Sequence, residues 1–484
     1  MFRRDFGVSF LALFVLSIFQ ISEVFAQVQY APRVEYPTGS GPSSVFASDL
    51  DGDSALDLAV TCGYDNTVSV YINSGDGTYM TKVDYSVGNR PQSVFATDLD
   101  GDGDNDLAVV NRLSDDLSIL KNNGNGTFAP KLTYSTGGNP LFVTGARLDA
   151  DTLIDLAVAS FDDNAVSVLI NQGDGNFGLR TDHPVGSGPY AVCAADLDGD
   201  SIPDLATANG TDNTVSVLLN DGNGGFPSRT DYNTGTNPRG VIAADLDGDG
   251  KRDLAVANWG SFSVSIFKNS GAGVFSPDND FATGVHPTSL AAANLDGDTF
   301  PDLAVGSVAQ DFSCNSAVIP VLINNGTGAF FTRVDLESIY DPHAIVVSEL
   351  DADSLHEMIT VHSLSSELVV TDFPDSVLPA TCLAIPGDAN ANGRLGLDDI
   401  ISILNFLYCG SGSGGADAQK CNGWPPCSFN SGMCWLSGLL CRGDWNGSCS
   451  VTLADIIMGV NFLFNKPGGP WDPLPVGPCC QPAP

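Results

Sequence analysis

Basic residues are scarce in this chain of 484 residues. Only 20 lysines and arginines stand against 58 aspartates and glutamates, which leaves a formal net charge of −38. Nucleic acid is excluded as a natural partner, because phosphate binding requires clusters of lysine and arginine, and an anionic membrane surface is disfavoured for the same reason. Divalent cations bound to the acidic segments would neutralise part of this charge.

Histidine is also rare, with five residues scattered at positions 183, 286, 343, 356 and 362. The pair His356-Glu357 begins like a zinc-peptidase motif, but Thr360 stands where the second histidine ligand is needed. A general acid of raised pKa in an apolar pocket cannot be recognised from the sequence either. No catalytic constellation is recognisable, and we do not expect an enzyme.

Long apolar runs are missing after the N-terminus, so no membrane span is expected in the mature chain. Arg3 and Arg4 precede one apolar run, Phe10 to Phe19, and Val24-Phe25-Ala26 fits a small-residue cleavage site. This pattern predicts a signal peptide at residues 1–26 and a secreted or cell-surface protein. A membrane anchor is the alternative, but the run is shorter than the roughly 20 residues that a span needs.

Cysteine is sparse in most of the chain and dense near its end. Of the 12 cysteines, Cys62, Cys193 and Cys314 are isolated, whereas nine lie between Cys382 and Cys480. Such a cluster in an exported tail predicts disulfides. Zinc is the alternative, but the paired cysteine motifs are absent and no histidine lies near. Because nine is an odd number, at least one thiol of the tail is free or pairs elsewhere.

The chain is rich in one acidic segment, which recurs with a period of 49 residues. Asp49-Leu50-Asp51-Gly52-Asp53, closed by Asp57-Leu58, recurs from positions 98, 147, 196, 245 and 294, and a seventh copy starts at 349. So many acids within nine residues are not expected to pack in a core, because they repel one another. A period near 50 residues predicts the blades of a propeller.

Each repeat contains four stretches with the composition of β-strands. In repeat one they are 44–47, 56–60, 67–73 and 82–85, and turns rich in Gly, Asn and Asp separate them. This pattern predicts one four-stranded antiparallel blade per repeat. Repeat seven lacks its last strand, but a matching stretch, Tyr30 to Tyr36, precedes repeat one. We therefore predict that this strand completes blade seven and closes the ring, the alternative being an open solenoid with a loose first strand.

The acids of each segment stand at positions 1, 3, 5 and 9, as in the front of a calcium-binding loop, where position 7 supplies a backbone carbonyl. Hard oxygen donors in a flexible loop favour Ca²⁺ over Mg²⁺ and over zinc. A solvated acidic turn is the alternative, which seven copies in register disfavour. Blades one, two, four and five have complete sets of candidate ligands: Asp49, Asp51, Asp53 and Asp57; Asp98, Asp100, Asp102 and Asp106; Asp196, Asp198, Asp200 and Asp204; Asp245, Asp247, Asp249 and Asp253.

Three blades depart from the complete set. Blade six begins with the neutral Asn294, and blade three carries Arg147, whose guanidinium is expected to replace the ion by pairing with the remaining acids. Blade seven uses Glu349 and Glu357, whose longer side chains disfavour binding. The remaining candidate ligands of these blades are Asp149, Asp151 and Asp155; Asp296, Asp298 and Asp302; Asp351 and Asp353.

These segments resemble FG-GAP repeats, also called VCBS repeats, which form the blades of integrin α-subunit heads. The resemblance rests on the pattern Asp-x-Asp-x-Asp-x-x-x-Asp-Leu and on Gly-rich turns such as Asn123 to Phe128, and it covers about residues 28–375. It implies a mainly β fold, a seven-bladed propeller, with calcium loops on one face that stiffen the connections between inner strands. We assign residues 27–375 to this domain.

After a linker at residues 376–385, a Cys-rich region at 386–484 contains two related units, 56 residues apart. Each has a 12-residue loop with oxygen-bearing side chains, followed by apolar residues at helical spacing. The two loops supply Asp388, Asn390, Asn392, Asp399, Asp444, Asn446, Ser448 and Asp455 as candidate ligands. The pair resembles a type I dockerin, which implies a small α-helical calcium module and a cohesin-like partner. Leu397-Asp398 and Leu453-Ala454 stand where dockerins often carry Ser-Thr for partner recognition, and this leaves the partner open.

From these observations we expect a secreted, calcium-binding propeller that acts as a binding or adhesion module and is tethered through its dockerin-like region. Its ligand is a protein or a glycan that the sequence does not identify. A polysaccharide-binding or polysaccharide-degrading component of an extracellular complex is the alternative, because dockerins commonly accompany glycoside hydrolases. A purely structural surface protein is a third hypothesis.

Overall fold

The computed structural model describes residues 24–26, 33–283, 285–308, 317–330, 332–338, 341–351 and 356–372. The regular structure of this part consists of 29 strands in seven sheets. Six of the sheets have four strands and one has five. The prediction of a mainly β, seven-bladed propeller is confirmed. Within the described ranges, no helix has the length and hydropathy that crossing a membrane requires.

Blades one to three contain β3 (Pro42–Ser48), β4 (Asp57–Cys62), β5 (Thr67–Tyr71) and β6 (Val83–Ser86); β7 (Pro91–Thr97), β8 (Asp106–Asn111), β9 (Asp116–Leu120) and β10 (Leu132–Ser135); β11 (Pro140–Ala146), β12 (Asp155–Ser160), β13 (Ala165–Leu169) and β14 (Thr181–Pro184). Blades four and five contain β15 (Pro189–Ala195), β16 (Asp204–Asn209), β17 (Thr214–Leu219) and β18 (Ser228–Asn233); β19 (Pro238–Ala244), β20 (Asp253–Asn258), β21 (Ser263–Asn269) and β22 (Phe275–Ala282). Blade six contains β23 (His286–Ala293), β24 (Asp302–Val308), β25 (Ala317–Ile323) and β26 (Thr332–Ser338). Blade seven contains β27 (Pro342–Ser348), β28 (Glu357–His362), β29 (Glu367–Asp372) and the N-terminal β2 (Arg33–Pro37).

The hydrophobic core lies between neighbouring blades. The second strand of blade one, β4, is buried along its whole length, because side chains alternate across a strand and both faces of this sheet are covered. Leu58 and Val60 pack with Ile359 and Val361 of blade seven, whereas Ala59 packs with residues of blade two such as Leu107. Seven such clusters each join two adjacent blades, so the ring is held together at every joint.

The N-terminal strand closes the ring, as predicted. The strand β2 pairs antiparallel with β29, with Val34 opposite Val370 and Tyr36 opposite Leu368. The Tyr36 ring also contacts blade one, with its centroid 5.4 Å from that of Tyr79. Pairing the first strand with the last removes an open sheet edge and fixes blade seven against blade one.

A short strand, β1 (Val24–Ala26), pairs in parallel with β26 of blade six. It coincides with the stretch that the sequence predicts as the cleavage site of the signal peptide. If the chain is cut after Ala26, β1 is removed with the leader, and β26 becomes the outer strand of blade six.

Candidate metal centres

The acidic segment of each blade connects its first strand to its second, and we call the face of the ring that bears these connections the loop face. In blade one, Asp49 folds the connection into a tight loop. Its Oδ1 accepts a hydrogen bond from Gly52 N at 2.8 Å, and its Oδ2 accepts one from Ser54 N at 3.0 Å. Gly52 has a φ of +82°, a conformation that side-chain-bearing residues rarely adopt. These bonds bring the first and later residues of the loop together.

The ninth acid of each segment is buried, so the expectation that none of these acids packs in the core is wrong. Asp57 is fully buried, with its Oδ2 accepting from Leu50 N at 2.7 Å and its Oδ1 from Asn73 N at 2.7 Å. These bonds replace the hydrogen bonds to water that the carboxyl loses on burial, which is why it is tolerated in the core. Burial raises the pKa of Asp57 to about 6. The same pair of backbone bonds is made by Asp106, Asp155, Asp204, Asp253 and Asp302.

In four blades, the carboxylates of one loop converge. One oxygen from each of three acids lies within 4.8 Å of the oxygens of the other two. Two ligands of one calcium ion, each about 2.3–2.6 Å from it, lie at most about 5 Å apart. Each cluster can therefore hold a single metal ion. The clusters are Asp49, Asp51 and Asp53; Asp98, Asp100 and Asp106; Asp196, Asp198 and Asp204; Asp245, Asp247 and Asp253.

The donor atoms of these clusters select the kind of ion. All of them are carboxylate oxygens, which are hard donors that bind Ca²⁺, Mg²⁺ or Mn²⁺ and not the softer metals that prefer thiolate or imidazole. The four blades that bring three acids together are also the four with a complete set of acids in the sequence. The remaining members of these sets lie outside the three-acid clusters of the described residues: Asp57, Asp102, Asp200 and Asp249.

Blade three brings together fewer acids. Asp149 Oδ1 accepts from Asp151 N at 3.0 Å, and Asp155 Oδ2 accepts from Asp149 N at 3.2 Å, so these carboxylates bond to the loop itself. Among the described residues, the ion pairs of the loop face involve Lys121, Lys251 and Lys268 but not Arg147. The expectation that Arg147 pairs with the acids of its loop is wrong.

Blades six and seven retain the shape of the loop with altered ligands. Asn294 of blade six accepts from Gly297 N through Oδ1 at 2.9 Å, which is the bond that Asp49 makes in blade one. Glu357 of blade seven is buried and accepts a hydrogen bond from Leu350 N, as Asp57 does from Leu50. Within the described ranges, neither blade forms a cluster of three acids. The other predicted ligands here are Asp296, Asp298, Asp302, Glu349 and Asp351, while Asp353 lies outside the described residues.

Lysine side chains approach two of the clusters. Lys121 Nζ lies 3.2 Å from Asp100 Oδ2 in blade two, and Lys268 Nζ lies 3.9 Å from Asp247 Oδ2 in blade five. The equivalent residues of blades one and four are the apolar Ile72 and Leu219. A cation that enters the loop of blade two or five therefore meets a positive charge that is absent at this position in blades one and four.

A buried asparagine joins six of the seven acidic loops to the next blade. Asn122 of blade two donates through Nδ2 to Leu50 O in the loop of blade one at 2.7 Å and to Asn105 O in its own loop at 2.9 Å. Because Leu50 N is bonded to Asp57, one loop residue links the ninth acid to the neighbouring blade. The same inter-blade bond is made by Asn73, Asn171, Asn220, Asn269 and Asn324, and Phe373 stands at the corresponding place of repeat seven.

A cavity of about 430 Å³ opens on the other side of the ring, which we call the opposite face. It lies between blades seven, one and two, and residues far apart in sequence line it, such as Ser43 and His343. No single motif of the sequence indicates this cavity. The available signal was the variation between repeats, because residues at equivalent places on this face differ from blade to blade.

Several predicted sites lie outside the described residues. They include the linker, the dockerin-like region and its candidate ligands Asp388, Asn390, Asn392, Asp399, Asp444, Asn446, Ser448 and Asp455. The nine cysteines of the tail and Cys314 lie outside as well. The described cysteines, Cys62 and Cys193, both carry free thiols.

Solved structures with a similar fold are distant in sequence. BBS1N, solved in complex with ARL6DN, has 14% sequence identity and a TM-score of 0.51, and the match covers 74% of this chain and 99% of that chain. A catalytically inactive virginiamycin B lyase from Staphylococcus aureus has 12% identity and a TM-score of 0.48 over 70% of this chain and 99% of the lyase. An Agrocybe aegerita lectin specific for non-reducing terminal N-acetylglucosamine has 18% identity and a TM-score of 0.44 over 65% of this chain and 94% of the lectin. At these identities the likeness to BBS1N concerns the fold alone.

The family comparison is more specific. No curated protein matches the chain. The model of the FG-GAP-like repeat matches five overlapping stretches, 49–109, 98–158, 147–207, 196–256 and 245–305, each of which begins at the first position of an acidic loop. Together they span more than half of the 484 residues. The chain therefore belongs to the FG-GAP-like repeat family.

Proposed function

We propose that this protein is a secreted, calcium-stabilised propeller that acts as a binding or adhesion module and is tethered through its dockerin-like C-terminal region. The observation that carries the proposal is the convergence of three carboxylates in each of four loops. Calcium suits these loops better than magnesium, because it accepts several carboxylates in a flexible arrangement, whereas magnesium demands near-ideal octahedral geometry.

The position of the clusters supports a stabilising role for the ion. Three carboxylates within 4.8 Å repel one another, and a divalent cation among them removes that repulsion. The loop that the ion would stabilise is also hydrogen-bonded to the next blade. In blade one this bond runs from Asn122 of blade two to Leu50 O of the loop. Calcium in the loop is therefore expected to stiffen the joint between the two blades.

A binding role agrees with the way in which the acids are used. Among the described residues, every group of three converging carboxylates belongs to a loop, where the acids are candidate ligands or accept backbone hydrogen bonds, and such acids are not free for acid–base work. The FG-GAP-like repeats support an extracellular location, as does the leader expected at residues 1–26.

Calorimetric titration of the metal-free protein with calcium tests this proposal directly. We expect four sites in the propeller and a rise in melting temperature, since an ion that binds only the folded state at 100 times its Kd stabilises it by about 2.7 kcal/mol. Asp98→Asn with Asp100→Asn should remove one site. The matched control, Asp149→Asn with Asp151→Asn in blade three, should leave the number of sites unchanged. A melting temperature that does not respond to calcium would refute the proposal.

A further inference from the structure

Each blade has a proline near the start of its innermost strand, and the residue directly after this proline differs in all seven blades. These residues are Ser43, Gln92, Leu141, Tyr190, Arg239, Thr288 and His343. Because the seven blades share one strand pattern, folding alone does not require a different residue at this position in each blade. This position of the opposite face is therefore free to serve a purpose other than folding.

Residues at this position meet around the axis of the ring. Ser43 Oγ donates to Pro91 O of the next blade at 3.1 Å, and Thr288 Oγ1 donates to His343 O at 2.7 Å. Burial, and to a lesser extent the charge of Arg239, lowers the pKa of His343, although blades five and seven are not neighbours. The Nδ1 atom of His343 is buried and has no hydrogen-bond partner among the described residues.

The cavity of about 430 Å³ is built around three of these residues, from blades seven, one and two. Its volume falls within the range of about 300–1,000 Å³ that small-molecule sites occupy. Its lining residues are Ser40, Gly41, Pro42, Ser43, Tyr64, Arg90, Gln92, Arg112, His343, Ser363, Leu364 and Ser366. None of these described lining residues carries a carboxylate, although the chain has a net charge of −38.

Arg90 is held in place before any ligand arrives. Its guanidinium carbon lies 4.0 Å from the centroid of the Tyr64 ring. The ring itself leans on Gly41, where a Cβ atom would come within 2.2 Å of it. The backbone N of Arg90 donates to Asn66 Oδ1 at 2.8 Å. Such an arrangement lowers the entropy that the side chain loses when it binds an anion.

The second arginine, Arg112, is also oriented by a neighbouring blade. Its Nε donates to Asn139 Oδ1 at 2.8 Å, and its two terminal amino groups carry further donors. Two guanidinium groups at one cavity favour an anion, and the planar carboxylate matches the planar fork of arginine. The hydroxyl groups of four serines and the amide of Gln92 complete the lining. They are suited to a ligand that is itself rich in hydroxyl groups.

We propose that this cavity binds a carboxylated sugar, such as a uronic acid residue of a glycan, with Arg90 and Arg112 bonding to the carboxylate. The inference rests on the proposed function, since it names the ligand class of the binding module. The serine hydroxyls and Gln92 bond to the hydroxyl groups of the sugar, and the exposed Leu364 covers its apolar edge.

The test is a calorimetric titration of the full-length, calcium-loaded protein with trigalacturonate and, separately, with the neutral maltotriose. We expect binding of the acidic trisaccharide only. The double variant Arg90→Gln with Arg112→Gln should weaken it about tenfold or more, as expected for lost charge-assisted hydrogen bonds. Arg229→Gln is the matched control, because Arg229 pairs with Asp231 on the outer strand of blade four and lies outside the cavity.

A second variant makes the test independent of charge. Leu364→Trp changes an exposed side chain at the cavity and should block binding by filling the space while leaving the melting temperature unchanged. Equal affinity for maltotriose, no heat with trigalacturonate in the millimolar range, or unchanged affinity in both variants would overturn the inference. Calcium-dependent melting, measured on the same samples, reports on the proposed function separately, so that failure of the ligand class alone is recognised.

Discussion

The two faces of the propeller use the repeat in opposite ways. On the loop face, four blades repeat the complete set of acids, all seven repeat a buried carboxyl at the ninth position, and six of the seven joints have the same asparagine bond between neighbouring blades. On the opposite face, the residue after the inner proline is different in every blade. Repetition thus marks the residues that hold the ring together, and variation marks those that are free to meet a ligand.

The largest expected effect concerns the buried carboxyls of the metal-free loop face. Burial raises the pKa of Asp57 and its equivalents to about 6, and that of Asp302 to about 7. The folded state then binds more protons than the unfolded state between pH 4 and 7, so the stability of the metal-free protein falls as pH rises through this range. Each carboxyl contributes on the order of 1 kcal/mol after solvent screening. Melting curves of calcium-free protein across this range measure the fall, and a rise would contradict it.

Removal of one buried carboxyl is expected to have the next largest effect on stability. Asp106→Ala leaves Leu99 N and Asn122 N buried without their acceptor, which should cost about 3 kcal/mol of the free energy of unfolding. The control is Asp102→Ala, an exposed acid of the same loop, for which about 0.5 kcal/mol or less is expected. Urea unfolding in chelator separates these costs from the loss of metal, and equal costs would show that the ninth acid serves only as a ligand.

The asparagine bond between blades is expected to contribute somewhat less to the free energy of unfolding than the buried carboxyl does. Asn122→Ala removes two buried donor bonds to the loops of blades one and two, for a cost of about 2 kcal/mol. Its neighbour Asn123 bonds to Thr127 Oγ1 on the exposed surface, so Asn123→Ala should cost about 0.5 kcal/mol or less. Thermal unfolding measures both values. A small cost at Asn122 would mean that packing alone holds the joint.

A smaller effect distinguishes blades within the loop face. Lys121→Ile gives blade two the residue that blade one carries at the equivalent position, Ile72. Loss of the ammonium beside Asp100 should tighten calcium binding at this site about fivefold, corresponding to about 1 kcal/mol for a partly exposed charge. Calcium titrations of the variant and the wild type measure the difference. Weaker binding would show that the lysine supports the loop instead of competing with the ion.

The smallest effect is expected on the opposite face. Gln92→Ser places the residue of blade one in blade two, at a half-buried position that varies in every repeat. Stability should change by about 0.5 kcal/mol or less, because the fold accepts different residues here. Thermal unfolding measures the change. A cost comparable with that of Asn122→Ala would contradict the contrast between the two faces.

The sequence predicted the features that repeat along the chain and missed those that arise between distant blades. The closing strand was predictable because repeat seven lacks its last strand and a matching stretch precedes repeat one, and β2 occupies that place. The burial of Asp57 was not predictable, because aspartate serves both as a metal ligand and as a buried hydrogen-bond acceptor. In addition, Asn73, which donates to Asp57, lies on another connection of the blade. The cavity was beyond sequence reasoning because Ser43 and His343 meet only when the ring closes.

The closing strand has a consequence for biosynthesis. Apart from the short β1, Arg33–Pro37 leaves the ribosome before every other strand, but its partner Glu367–Asp372 is synthesised only after all of the other strands. Blade seven is therefore the last to form, and until then the nascent array carries unpaired strands at both of its ends, which are prone to aggregation. A message truncated anywhere before Glu367 should yield insoluble material and not a smaller propeller.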